Sequence, residues 1–450
     1  MNTHAFLRAK IIGIGARTRR LGRVDHASVG IRPQDMPYAP SPSHFAAANA
    51  RLARIEWEIE RRYRDLAQAW VRVPRERVLV DVALVERELD RARRAFGLFF
   101  EVFAQRGTTF APALAAHDII AADCYAAIRH AAPKIFSGPL LKPLSYMEHG
   151  YSPATMRRGV TLSRLLGEAN PFPIIRIPWD REHPWQAVFL HEVAHNLQAD
   201  LGIWQENRQA VLRRTLETSH DPALARIYGT WHKEIFADLA ALLLGGPAAA
   251  WGMADFLAHP APRTLTFRPG SAHPTAFLRM LIVAEMLRRM GFPGDAARVT
   301  TVWRTLYDPA RFHRLPTRLL ATSDRLIPAV VDEIAYQTRR NLAQRALVDV
   351  LPFKRADEEA IRRCAGALTT GDMGSVDLPP RHLVSAASYA LASGRIAPQR
   401  LSTLVVGRLN DSAAQSRRRF VPVRIGTATG RALGRAMQQQ PSFNSIEARP

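Results

Sequence analysis

The sequence predicts a mainly α protein with a small β-sheet. Three observations carry that expectation. Apolar residues recur at helical spacing through most of the chain, proline and glycine mark helix ends, and one short β-branched stretch is bounded by prolines. The 450 residues suffice for two or three domains, and a hydrophobic share of 47 % can fill real cores.

Residues 1–42 are basic and turn-rich and end in Pro37-Tyr38-Ala39-Pro40-Ser41-Pro42, so they read as a basic flexible arm. From His44 to about Arg72, Leu52, Ile55, Ile59, Tyr63 and Leu66 form the apolar stripe of a long helix. Helices are also expected over about Asp81–Gln105 and Ala111–His130, which makes residues 43–138 an N-terminal helical lobe. A loop-rich stretch, Pro139–Asn170, leads into a central domain placed at residues 139–320. There Pro171–Pro178 is short, β-branched and proline-bounded, and reads as an edge strand.

Pro184 suits the first position of the next helix, Trp185–Ala199 runs without Gly or Pro, and Gly202 supplies a left-handed cap. A later helix carries Ile235, Leu239, Leu242 and Leu243 and stops at Gly245-Gly246-Pro247. The stretch Ser271–Arg279 opens another, with Pro274 in its first turn. Helices follow around Gly294–Leu306, Asp324–Leu347, Asp357–Leu368 and from Pro379 to about Ala392. Residues 321–450 thus read as a C-terminal helical basic region, with Arg417-Arg418-Arg419 as a solvated charge run and a polar end at Gln438-Gln439-Gln440-Pro441.

The chemistry concentrates in His191-Glu192-Val193-Ala194-His195. On a helix, positions i and i+4 share a face, so His191 and His195 can point at one metal ion. Glu192, next along, can hold a water on that metal. The competing reading is two ordinary helix histidines. A catalytic zinc site normally has three protein ligands and an open position. Glu234 is the candidate third ligand, and Asp238, one turn later, can accept a hydrogen bond from the outer ring nitrogen of a ligand histidine. The alternative for these two is an exposed acidic pair on an amphipathic helix.

The pair of motifs, His191-Glu192-Val193-Ala194-His195 and Glu234-Ile235-Phe236-Ala237-Asp238, resembles that of the gluzincin group of zinc metallopeptidases. The resemblance covers about Pro171–Ile282. It implies a zincin-like core flanked by helical regions, Zn2+ as cofactor, His191, His195 and Glu234 as ligands, Glu192 as base, Asp238 behind the ligands, and a peptide or protein substrate. An edge strand beside the metal helix would then pair with extended substrate, a plain connecting strand being the alternative. Several gluzincin-like families carry a His-Pro before a helix, so His273 is a candidate catalytic residue donating to the oxyanion; Arg279 and, more weakly, Tyr228 are others. A structural role is the alternative for each. The chain departs from the metzincin pattern, because Asn196-Leu197-Gln198-Ala199 follows His195.

Composition narrows the rest. Only Cys124 and Cys364 are present, which excludes a disulfide scaffold and a multi-cysteine zinc site. No apolar run reaches membrane-spanning length and no signal-like start is evident, so a cytoplasmic enzyme is the expectation, with signal-less secretion as the alternative. The net charge of +22 is spread over most helices, as in Arg91-Ala92-Arg93-Arg94 and Arg288-Arg289, without interleaved aromatic residues. It implies nonspecific attraction to polyanions more than a nucleic-acid interface. The rival functions are a non-enzymatic regulatory or binding protein on a zinc fold and a basic nucleic-acid-associated protein.

Overall fold

Among the described residues four α-helices precede a small sheet, and the helices bearing the histidine and glutamate motifs follow it. The computed structural model describes residues 2–19, 22–136, 140–148, 154–159, 169–179, 183, 186–312, 314–371 and 377–419, with backbone alone for 413–419. The chain divides into two compact units, Met1–Asn410 and Asp411–Pro450; the described part of the second is a helix end. The expected class holds: the chain is mainly helical with one three-stranded sheet. The loop expected around His149, the Pro184-Trp185 helix start, the side chains of Arg417–Arg419 and the polar end lie outside the described residues.

Helix α1 (Thr3–Thr18) corrects the expectation of a flexible arm. Leu7, Ile11 and Ile14 recur at helical spacing and are buried with Leu66, Val78, Val82 and Val85 of α2 (Pro42–Ala69) and α3 (Arg75–Ala104). Lys10 and Arg17 both reach Glu86 on α3, at 3.4 and 2.5 Å. The basic residues of this segment therefore lie on the faces of a packed helix. Helix α4 (Ala111–Ala131) follows as expected.

The sheet has the order β1 (Leu144–Glu148), β3 (Ile174–Pro178), β2 (Ala154–Met156). Strand β1 runs parallel to β3, with Leu144 opposite Ile174; β2 runs antiparallel, with Thr155 opposite Ile175. The strand expected at the edge is thus the central one. Ile174 packs with Leu144, Tyr146 and Phe172 on Phe45, Phe99 and Phe103, whereas Ile175 and Ile177 join Met147 in the core on the other side. A strand covered on both faces reads as an unbroken apolar run, and the flanking prolines fall at its ends.

The outer edge of β1 is sealed by side chains that stand in for a fourth strand. The Gln105 amide donates to Met147 O (2.8 Å) and accepts from Met147 N (2.7 Å). Asp118 accepts from Ser145 N at 2.7 Å, and Arg106 donates to Ser145 O at 2.6 Å while pairing with Asp118 at 2.8 Å. Arg106 is fully buried, so Arg106→Met is expected to destabilise the fold by about 3–5 kcal/mol, because Asp118 is left without its counter-charge. Urea unfolding reads this out; an unchanged midpoint would contradict it.

Downstream lie α5 (Val188–Asp200), α6 (Trp204–Ser219), α7 (Pro222–Gly245), α8 (Pro247–Leu257), α9 (Ala261–Thr264), α10 (Ala276–Arg289) and α11 (Pro293–Leu306). Short turns α12 (Pro309–Phe312) and α13 (Thr317–Ala321) lead to α14 (Ser323–Val331), then α15 (Leu347–Val350), α16 (Arg355–Thr370), α17 (Pro380–Ala392) and α18 (Pro398–Arg419). The single helix expected over Asp324–Leu347 is broken. Pro328 lies within α14, a widened π turn covers Asp332–Tyr336, and Arg339 then turns inward. Its guanidinium binds Asn207 Oδ1 at 2.8 Å, Glu333 Oε1 at 3.0 Å and the Glu333 carbonyl. Ala343 and Gln344, both left-handed, reverse the chain behind it. Among the described residues no helix is long and apolar enough to cross a membrane.

Candidate metal centre

Both motif helices have strong local signals. The carboxylate of Asp221 caps α7 by accepting from Ala223 N (2.9 Å) and Leu224 N (3.4 Å), and Pro222 takes the first position. The helix ends at Gly246, whose φ of +65° few other residues tolerate. Helix α5 ends at Leu201, with left-handed Gly202 just beyond, as expected. The two helices run antiparallel in close contact: a Cβ on Gly245 would lie 2.6 Å from Leu190. Glycine there lets the backbones approach.

This pairing sets the register of the polar residues. His191 and His195 are one turn apart on α5, and Glu234 and Asp238 are one turn apart on α7. The Nε2 atoms of His191 and His195 each lie 3.5 Å from Glu234 Oε2. One ligand atom from each of the three residues falls within 4.8 Å of the others. Tetrahedral zinc with bonds of about 2.0–2.2 Å separates neighbouring ligand atoms by about 3.3–3.6 Å, so the donor set fits the ion. All three residues are largely buried.

Asp238 sits behind His191. Its Oδ1 accepts from His191 Nδ1 at 2.9 Å, so once the ring gives up its second proton the Nε2 lone pair faces Glu234. Arg279 of α10 closes a fork on the same carboxylate, Nε to Oδ2 at 2.5 Å and Nη2 to Oδ1 at 2.8 Å. Its Nη2 also lies 3.1 Å from His191 Nε2 and 3.8 Å from Glu234. Burial and the Arg279 charge oppose protonation of His191, yet Asp238 and Glu234 outweigh them and hold its pKa at about 9. Burial would raise the Glu234 carboxyl, but the two imidazoles hold it well below the usual carboxylate range. Asp238 is likewise held low by Arg279 and His191 against its burial.

A cavity of about 570 Å³ opens over His191, His195 and Glu234. Glu192 lines it, and its carboxylate makes no hydrogen bond or ion pair among the described residues. Edge strand β2 contributes Ala154 and Thr155 to the wall, so the strand beside the metal helix is β2 and not the expected Pro171–Pro178 segment. His273 stands exposed at the mouth with Nε2 3.6 Å from Glu234 Oε2. Burial on its inner side lowers its pKa, Glu234 opposing. Helix α10 starts at Ala276, so His273 and Pro274 precede it instead of forming its first turn.

Of the other two oxyanion candidates, Arg279 is committed to Asp238, and Tyr228 is wholly buried beside Trp231, off the cavity wall. The sequence reading did not single out Arg157 and Lys233, which also line the cavity. Lys233 directly precedes Glu234, a position the local sequence marks. Arg157 falls in a stretch without periodic pattern, and nothing local marks it. No protein-family model, curated protein or solved structure matches the chain.

Proposed function

We propose that this chain is a zinc-dependent peptidase of gluzincin-like design, with a zincin-like core formed by the sheet and the α5–α7 pair. The observation that carries the reading is the convergence of His191, His195 and Glu234 on one point, with Glu192, which has no hydrogen bond or ion pair among the described residues, in the same cavity. When bound, zinc supplies a Lewis acid that acidifies water and polarises a carbonyl. The protein does the rest. Asp238 and Arg279 fix the tautomer and orientation of His191. Glu192 takes a proton from the attacking water and passes it to the leaving nitrogen. His273, at the mouth, is placed to donate to the oxyanion as substrate enters. Strand β2 offers an edge along which extended peptide can pair.

The test joins metal content with hydrolysis. Purified chain is expected to hold one zinc ion, to cleave unstructured protein such as casein, and to lose cleavage on chelation and regain it with zinc. Glu234→Ala is expected to weaken zinc binding by more than the roughly 10–100-fold that loss of an outer partner causes. Stoichiometric zinc in that variant, by elemental analysis after dialysis, would remove Glu234 from the ligand set. Zinc bound without any cleavage would favour the non-enzymatic reading.

A further inference from the structure

We propose that the site takes peptides bearing a carboxylate, which Arg157 and Lys233 hold at the end of β2. This rests on the peptidase reading of the same cavity. Arg157 follows directly on β2, the edge strand in the cavity wall, and Lys233 precedes the ligand Glu234 on α7. Both cations lie against Trp204: the Arg157 guanidinium is 4.5 Å and the Lys233 ammonium 5.5 Å from the ring centroid. Neither side chain has a hydrogen bond or ion pair among the described residues.

The arrangement around Arg157 is built rather than incidental. Asn170 Nδ2 donates to Met156 O at 2.9 Å and to Arg157 O at 3.3 Å. The next residue, Arg158, pairs with Asp200 at the end of α5 at 2.9 Å, and Asp200 also accepts from Tyr125 at 2.6 Å. The backbone at 157 is therefore tied on both sides, and the guanidinium is half-buried on an indole face. Burial disfavours its charge, Glu234 alone opposing. A half-desolvated cation without a carboxylate is stabilised by an incoming anion, and guanidinium matches a carboxylate in a two-pronged geometry.

The remaining charge agrees. Among the described residues Arg268 lines the cavity without an ion pair, and the acidic lining residues are Glu192 and Glu234. Glu234 is compensated by the metal in the proposed site. A peptide extended along β2 brings a side chain or its terminus to Arg157. The anion is thus the carboxylate of an aspartate or glutamate side chain, or the free C-terminus.

The test is equilibrium binding to the zinc-loaded full-length Glu192→Gln chain, which does not turn substrate over. Fluorescence anisotropy compares short labelled alanine peptides: one with a central glutamate and blocked ends, its glutamine counterpart, and the glutamine peptide with a free C-terminal carboxylate. At least one carboxylate peptide is expected to bind about tenfold or more tighter than the blocked glutamine peptide, and which one does so identifies the source. Adding Arg157→Gln or Lys233→Gln should bring that ratio towards one, while Arg157→Lys should retain part of it. Thermal melts establish that each variant is folded. Equal binding of all three peptides overturns the proposal, as does a preference that survives the Arg157→Gln, Lys233→Gln double change. Tighter binding of oligothymidylate than of either carboxylate peptide, lost in the same variants, overturns it in favour of nucleic acid. Because binding is read without turnover, failure of the hydrolase reading appears separately, as wild-type chain that cleaves nothing.

Discussion

Glu192→Gln is expected to lower peptide turnover by about two to four orders of magnitude while one zinc ion stays bound per chain. The substitution keeps size and hydrogen-bonding reach but removes a cavity carboxylate that can take a proton without giving up a partner among the described residues. His191 is held by Asp238, Glu234 faces the imidazoles, and Arg279 is forked onto Asp238. Glu192 alone among these has no partner among the described residues. Nor is it part of the ligand set, so zinc content by elemental analysis should match wild type. The two readouts separate the roles. Loss of zinc together with activity would make Glu192 a ligand. Retained zinc with retained turnover would remove it from the chemistry and overturn its role as general base.

The legibility of this protein follows the range of the forces involved. Helical period is local, so the shared faces of His191 with His195 and of Glu234 with Asp238 could be read directly, as could the Pro222 and Gly246 ends of α7. That these faces meet depends on antiparallel packing across Gly245 and Leu190, which no spacing encodes. The misread strand shows a similar limit. Ile174-Ile175-Arg176-Ile177-Pro178 has the composition of any short strand, and only the covering of both its faces makes it central. Helix α1 is different. The Leu7, Ile11, Ile14 period is present in the sequence, but it is short and set among basic residues, so charge and turn composition mask it. Arg339 breaks a long apolar pattern because its partners, Asn207 and Glu333, lie on other elements. Arg279 was noticed as a possible oxyanion donor, whereas its binding to Asp238, 41 positions earlier in the chain, is a tertiary fact.

Disrupting that Asp238–Arg279 pair should have the second largest effect, and the two partners should fail differently. Both residues are almost wholly buried. Arg279→Met removes the cation and leaves a buried carboxylate facing only His191, with an expected loss of about 3–5 kcal/mol of stability. Asp238→Asn is isosteric but cannot satisfy its neighbours. The oxygen can face His191 Nδ1 and Arg279 Nη2, whereupon the amide NH2 meets Arg279 Nε, donor against donor. Turned over, it meets the His191 ring and favours the wrong tautomer, as at other histidine–carboxylate pairs. Either way zinc affinity should fall by about 10–100-fold. The double change, Asp238→Asn with Arg279→Met, removes the clash and the stranded charge together. It should recover much of the stability lost in Arg279→Met, measured by urea unfolding, yet leave zinc binding weak, measured by competition with a chromogenic chelator. Such non-additivity is expected of contacting buried residues. Recovery of both properties in the double variant would show that the pair serves folding only and that His191 needs no carboxylate to hold its ring.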